Sequence, residues 1–243
     1  MQYTQQQILE LIKCSEDPIY FIEKYVKVAH PIHGMSSITW HPFQKRYLHT
    51  VHTADNTPLV GAFGRQMGMT TMMCAYTLWE MLFKSNTNTM IVGFSQFHIQ
   101  QVMSRLYAMH DALPSWMQLA MQVRNKFGCQ FKNGAHLTTQ VASRNAGRGM
   151  TLGRLWIDEP AQVFKKTEAY EMLASLVPCL HTSGGSLILA GSGRETLPLA
   201  KLFSHCNIFR ADWRAVPDRD RAWADHMIAM LGEAQFKREY ELD

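Results

Sequence analysis

Two places in the sequence hold residue types that can act together on a phosphate. Gly64-Arg65-Gln66-Met67-Gly68-Met69-Thr70-Thr71 follows the apolar stretch Leu59–Phe63, and much later Asp158-Glu159 follows the apolar stretch Arg154–Ile157. Each is weak alone, since a glycine turn is usually only a turn and two acids after a strand usually begin a solvated loop. In this chain order they point to one chemistry. A glycine loop between a strand and a helix presents backbone N–H groups and the positive end of the helix dipole to an anion, here a triphosphate. Thr70 carries the hydroxyl that binds Mg²⁺ beside it, and Met69 stands where the usual motif has lysine. Of the two acids, Asp158 would hold the cation directly or through water. Glu159, pointing the other way, would orient and deprotonate the water that attacks the γ-phosphorus.

These residues need a scaffold that brings the two strand ends together, and the pattern of elements supplies one. Asp17-Pro18 reads as a helix opening, with Ile19, Ile22 and Val26 on one face. Leu59–Phe63 reads as a strand and Thr70–Phe83 as a helix; Thr89–Phe94 and a helix through Ile99, Val102, Met103 and Leu106 repeat the cycle up to Pro114. Between Val123 and Val141 residues alternate around Lys132-Asn133-Gly134, where Asn-Gly predicts a tight hairpin. Arg154–Ile157, a helix around Glu168–Leu180 and Ser186–Ala190 restore the alternation. Strands separated by helices predict an α/β fold with a buried, mostly parallel sheet. Asp220–Tyr240 is expected to be a packed helical segment with Trp223, Met227, Met230, Leu231, Phe236 and Tyr240 on its apolar side.

Composition sets the outer limits. The 243 residues suit one domain, and 47% apolar with 18% charged residues excludes global disorder. The longest apolar runs fall far short of the roughly 20 residues a bilayer requires, and the start MQYTQQQ lacks a signal peptide's regions. No membrane association is expected. The net charge of +4 fits a polyanionic partner without demanding one. Cys14, Cys74, Cys129, Cys179 and Cys206 have no CxxC spacing and read as reduced thiols, and no histidine pair has a second pair at metal-ligand spacing. The 16 methionines fall mostly at helical core spacing.

Taken in order, the segments resemble the ATPase domain of the large terminase subunit, the genome-packaging motor of tailed bacteriophages. DPIYFIEKYVKVAHPIHG is similar to that family's opening, WHPFQKRYL to its adenine-side glutamine motif and GRQMGMTT to its Walker A motif. ALPSW with FKNGAHL resembles the insertion before Walker B, SRNAGRGMTLGRLWIDEPA the Arg-Gly and Walker B block, and LILAGSG the coupling motif. The resemblance implies a P-loop NTPase of the additional-strand catalytic-glutamate type with a small helical lid, and ATP with Mg²⁺ as cofactors. It also implies that Gln44 reads the adenine edge, that Gly64 to Thr71 form the phosphate loop with Arg65 touching the γ-phosphate, and that Thr70 and Asp158 hold Mg²⁺. Glu159 would be the catalytic base, Arg148 the arginine finger offered to a neighbouring subunit and Ser192 the residue that couples hydrolysis to movement. Implied partners are double-stranded DNA, the portal protein of the prohead, the small terminase subunit and further copies in a five-membered ring. The place of work would be the host cytoplasm, at the portal vertex. The expected division is a helical segment at 1–38, an ATPase core at 39–205 and a lid at 206–243, with the family's nuclease domain absent from this chain.

Met69 is the main departure. At about 4 Å and an effective dielectric near 20, a lost unit charge is worth about 4 kcal/mol, roughly a thousandfold in rate if felt wholly in the transition state. Methionine keeps lysine's length and flexibility, so the loop can hold its shape and bind nucleotide while hydrolysing it poorly. Met69 is either a natural variant with its charge supplied by Arg65 or a substitution that traps an inactive motor. Two other functions stay open beside the motor: a hydrolysis-deficient module that binds nucleotide or DNA for assembly, and a helicase-type ATPase.

Overall fold

Local capping sets the first two helices of the computed structural model, which describes residues 3–30, 32–166 and 168–242. Helix α1 (Gln5–Glu16) begins with a capping box in which the Thr4 hydroxyl accepts from the Gln7 N–H and the Gln7 side chain accepts from the Thr4 N–H. Helix α2 (Pro18–Tyr25) starts as the sequence predicts, with the Asp17 carboxylate accepting from the N–H groups of Ile19 and Tyr20. The helical reading of 1–38 then fails. Strands β1 (Lys27–His30) and β2 (Gly34–Ser37) pair antiparallel as a small hairpin. Helix α3 (Pro42–Thr53) follows.

The central run is β3 (Leu59–Phe63), α4 (Met69–Phe83), β4 (Asn88–Gly93), α5 (Gln96–Asp111), β5 (Met121–Asn125), β6 (Gly128–Phe131), β7 (His136–Val141) and β8 (Arg154–Asp158). Then come α6 (Pro160–Lys166), α7 (Ala169–Leu176), α8 (Pro178–His181), β9 (Ser186–Ser192), a 3-10 helix (Arg194–Leu202) and β10 (Asn207–Ala211). A short 3-10 turn (Trp213–Ala215), α9 (Arg221–Leu231) and α10 (Glu233–Tyr240) complete the chain. The eight-stranded sheet has the order β10-β3-β9-β8-β4-β7-β6-β5. Strands β10 through β7 are mutually parallel, while β6 and β5 are antiparallel additions at the far edge. In the β6–β7 turn only Gly134 has a positive φ, +81°, and its N–H donates to the Phe131 carbonyl. The loop is therefore a three-residue turn ending in a left-handed glycine, not the two-residue Asn-Gly turn of the sequence reading.

Strands β3 and β8 are buried on both faces, as their near-continuous apolar sequences require. Alternation then sorts side chains between the two layers. Trp156 joins Leu59, Ile91, Ile188 and the methionines of α4 on one side. Leu155 and Ile157 join Val60, Met90, Val92, Leu187 and Leu189 on the other. The five cysteines are unpaired, and all except Cys206 are buried.

Two expectations about the C-terminal part are corrected. Strand β10 pairs with β3 over Asn207–Ala211, so the sheet continues past 205, where the lid was expected to begin. Asp220–Tyr240 is two helices parted at Gly232, and although Trp213, Trp223, Phe236 and Tyr240 pack together, Met230 and Leu231 are 68% and 43% exposed.

Candidate functional site

The carboxyl ends of β3, β9 and β8 lie side by side, with Phe63 level with Ser192 and Asp158 level with Ala190. Ligands of open α/β sheets bind beyond such ends. The chain leaves β3 as a loop in which Gln66 and Gly68 have φ of +58° and +75°. Gly68 is the N-cap of α4, and no side chain caps that helix, leaving its first N–H groups available to an anion. The loop's carbonyls are occupied from behind. Arg219 donates to the carbonyls of Arg65 and Gln66 at 3.0 and 2.8 Å, and Gln44 Nε2 donates to that of Met67 at 2.8 Å. The N–H groups of Gly64 and Arg65 in turn donate to the carbonyls of Ala211 and Glu239.

Asp158, at the end of β8, is 2% exposed and accepts from the Thr70 hydroxyl, with Oγ1 3.3 and 3.2 Å from its two oxygens. His98 Nε2, from α5, lies 2.9 Å from Asp158 Oδ2, and its ring stacks on Phe94. Glu159 has φ +53°, a left-handed backbone that costs a non-glycine residue energy. Its carboxylate accepts from the Ser192 N–H at 3.1 Å and from the Ser192 hydroxyl at 3.0 Å. Burial, reinforced by the neighbouring Asp158 charge, pushes the Glu159 carboxyl above the usual range; the Ser192 hydrogen bonds oppose the shift without cancelling it.

These groups line one cavity of about 710 Å³. Gly64, Arg65, Gln66, Met67, Gly68, Met69, Thr70 and Thr71 all border it, together with Asp158, Glu159 and Ser192. Met69 borders it while 9% exposed and packed with the core. Two expected residues lie elsewhere. Gln44 is buried beneath the loop and does not border the cavity, with Oε1 accepting from the His41 N–H and Nε2 donating to the Met67 carbonyl, so both ends of its amide are engaged within the chain. Arg148 is exposed beside a separate hollow of about 390 Å³ bordered by Gly149, Glu171 and Cys179. The sequence missed His98, Gln101 and Arg105 on α5, and Arg219, Arg238 and Glu239 from the C-terminal helices and the loop before them. Their helical spacing was visible, but nothing in it told which face would meet the loop.

No protein-family model matches the chain. Solved structures do. The large terminase ATPase domain of Thermus phage P74-26 superposes with a TM-score of 0.61 at 16% identity, covering 84% of this chain and 93% of that one. The HK97 bacteriophage large terminase gives 0.67 at 14% identity over 94% of this chain and 54% of that one. A large terminase from a thermophilic bacteriophage, in complex with ATP-gamma-S, gives 0.59 at 13% identity over 83% and 52%. The chain thus spans about half the length of the latter two. It shares the fold of phage large-terminase ATPase domains, a mostly parallel sheet flanked by helices.

Proposed function

We propose that this chain is a phage terminase ATPase domain that binds Mg-ATP in the cavity at the sheet edge and uses its hydrolysis to move double-stranded DNA into a prohead. The observation that carries the reading is the contact between Thr70 and Asp158, which joins the phosphate loop to the acidic couple across the sheet. The shared fold and the nucleotide analogue held by one similar protein support it.

The Thr70 hydroxyl and the Asp158 carboxylate are hard oxygen donors set side by side, a donor set that suits Mg²⁺. When bound, the ion would neutralise charge on the β- and γ-phosphate oxygens. The Gln66–Thr71 part of the loop and the first turn of α4 present N–H groups to the same phosphates, with the carbonyls of Arg65, Gln66 and Met67 held away by Arg219 and Gln44. Arg65 borders the cavity from the loop and would contact the γ-phosphate only on leaving Glu239, whose Oε2 lies 3.1 Å from its Nη1. Glu159, fixed by Ser192 and shifted towards protonation by burial, accepts the proton of the attacking water. Ser192, at the tip of β9 and just before the 3-10 helix Arg194–Leu202, passes the change to the lid, which packs on that helix. Arg148, outside its own cavity, serves the nucleotide of a neighbouring copy in a ring of five. Portal protein and small terminase subunit are the other partners, at the portal vertex in the host cytoplasm.

The test is DNA-stimulated release of phosphate from ATP, with nucleotide binding measured separately. Glu159→Gln is expected to abolish turnover while leaving binding within about threefold of wild type. Absence of ATP binding by the wild-type chain would end the proposal. Met69 favours a second reading, a hydrolysis-deficient assembly module. That reading expects no turnover even with DNA and partner subunits, and no gain from Met69→Lys. The motor reading expects Met69→Lys to raise turnover.

A further inference from the structure

With methionine at position 69 the loop lacks its usual cation, and the other charges around the cavity are all accounted for except one. Among the described residues, Arg65, Arg105 and Arg238 border it, against the carboxylates of Asp158, Glu159, Glu195 and Glu239. Four carboxylates thus face three guanidiniums, a poor balance for receiving a polyanion. Two of those guanidiniums are engaged: Arg65 Nη1 lies 3.1 Å from Glu239 Oε2, and Arg238 Nη2 lies 2.7 Å from Glu195 Oε1. His98 is spent on Asp158. Arg105 has no carboxylate partner among the described residues.

The position of Arg105 suits a phosphate. His98, Gln101 and Arg105 recur at i, i+3 and i+7 on α5, and all three border the cavity. Helical side chains lean towards the N-terminus of their helix, and that end of α5 is the end at the carboxyl edge of the sheet, next to β4. The guanidinium is therefore carried back towards the strand ends. Helix α4, which the loop caps, packs on α5, and the Cys74 thiol in its second turn donates to the Val102 carbonyl, three residues before Arg105. Thr71, from the first turn of that helix, borders the same cavity.

Resting on the nucleotide-binding reading above, we propose that Arg105 is a phosphate-binding residue that supplies, from α5, the positive charge the loop lacks at position 69. A guanidinium can reach phosphate oxygens from the opposite wall with two parallel N–H donors, which a single loop ammonium cannot.

The experiment is equilibrium titration of the chain with ATP-γ-S and Mg²⁺. Arg105→Gln is expected to raise Kd about tenfold or more, whereas Arg105→Lys retains most of the affinity. Arg46→Gln removes an exposed cation of α3 outside the cavity and is expected to change Kd less than about twofold. The decisive arm is Met69→Lys in the Arg105→Gln background, expected to return Kd to within about threefold of wild type. The same substitution in the wild-type background is expected to gain much less, because the charge is already present. An unchanged Kd in Arg105→Gln overturns the assignment, as does an equal gain from Met69→Lys in both backgrounds. Because Arg105 is exposed, its variants are expected to melt with wild type. If the wild-type chain binds no nucleotide, the reading of the cavity falls and the Arg105 assignment with it. If it binds and Arg105→Gln binds equally, the Arg105 assignment alone falls.

Discussion

Ser192 donates to Glu159 through both its N–H and its hydroxyl, so the carboxylate has a fixed direction before any water arrives. Removing the hydroxyl leaves the backbone donor but frees the carboxylate to turn. Ser192→Ala is therefore expected to lower kcat of ATP hydrolysis about tenfold with little change in KM, and Ser192→Thr to keep most of the rate. A rise in KM at constant kcat would show that Ser192 binds nucleotide instead. At this scale the sequence was a good guide where a residue's place follows from its position on the backbone: Thr70 opens a helix, Asp158 ends a strand, and topology brings them together. It was a poor guide where a long side chain chooses between neighbours. Gln44 sits in the segment that resembles the glutamine motif, yet its amide turns to the Met67 carbonyl. His98 turns inward to Asp158, a choice that depends on a ring stacking on Phe94 and on the bare Gly93, where a Cβ would come within 2.7 Å of the imidazole.

Helix α4 connects the loop to the rest of the fold, and its far end is fastened to β8, the strand that carries the acids. Glu80 Oε1 lies 3.1 Å from Arg154 Nε and 3.0 Å from its Nη2, with both side chains buried, while Glu80 Oε2 has no partner. Without Arg154, the buried Glu80 would keep only the more distant and partly exposed Lys84 ammonium, 3.6 Å from Oε1. Arg154→Met is expected to lower unfolding stability by about 3–5 kcal/mol, and adding Glu80→Met to recover most of the loss, read from denaturant midpoints. An equal or greater loss in the double variant would mean that the pair, and not the isolated charge, holds the elements. Helices α1 and α2 are joined by a second carboxylate, Glu10, which accepts from Lys24, Tyr20 and Tyr25 and is held down to about 2 from 4.5, chiefly by the Lys24 and Tyr25 hydrogen bonds. A depressed carboxylate adds stability that is present above its unfolded value and is lost as pH falls through its folded one. Glu10→Gln is thus expected to melt about 2–4 °C below wild type at pH 7, the gap closing between roughly pH 4.5 and pH 2. A gap that does not vary with pH would assign the effect to packing alone. The elements themselves were legible in the sequence wherever they are buried on both faces, as β3, β4, β8 and β9 are. Among those that escaped are exposed ones, the β1–β2 hairpin, and β10 at the sheet edge, whose NIFRA carries too little apolar signal to separate it from the lid that follows; helix α3, with five buried residues, was not read either.

For the whole molecule, the informative residue is the one left out of the cavity. Arg148 is exposed beside its own hollow, while every other expected catalytic group borders the main cavity. If it completes a nucleotide site, that site belongs to another copy, since an arginine finger must reach the transferring phosphate and can be supplied in trans. This gives a test that no single-chain role would pass. Arg148→Ala removes the finger but keeps Glu159; Glu159→Gln removes the base but keeps Arg148. Each variant alone is expected to lose nearly all turnover in the assembled state. Mixed in equal parts, they form interfaces in which an intact Glu159 faces an intact Arg148, and random assortment makes these about a quarter of the total. Activity recovered towards that fraction, and rising with protein concentration, is the signature of a shared site. A mixture as inactive as its components would return Arg148 to an ordinary solvated side chain. A mixture that recovers would mean that the cavity is built to be finished by a second copy, and the weak turnover expected of the dilute chain would then reflect the missing neighbour as well as Met69.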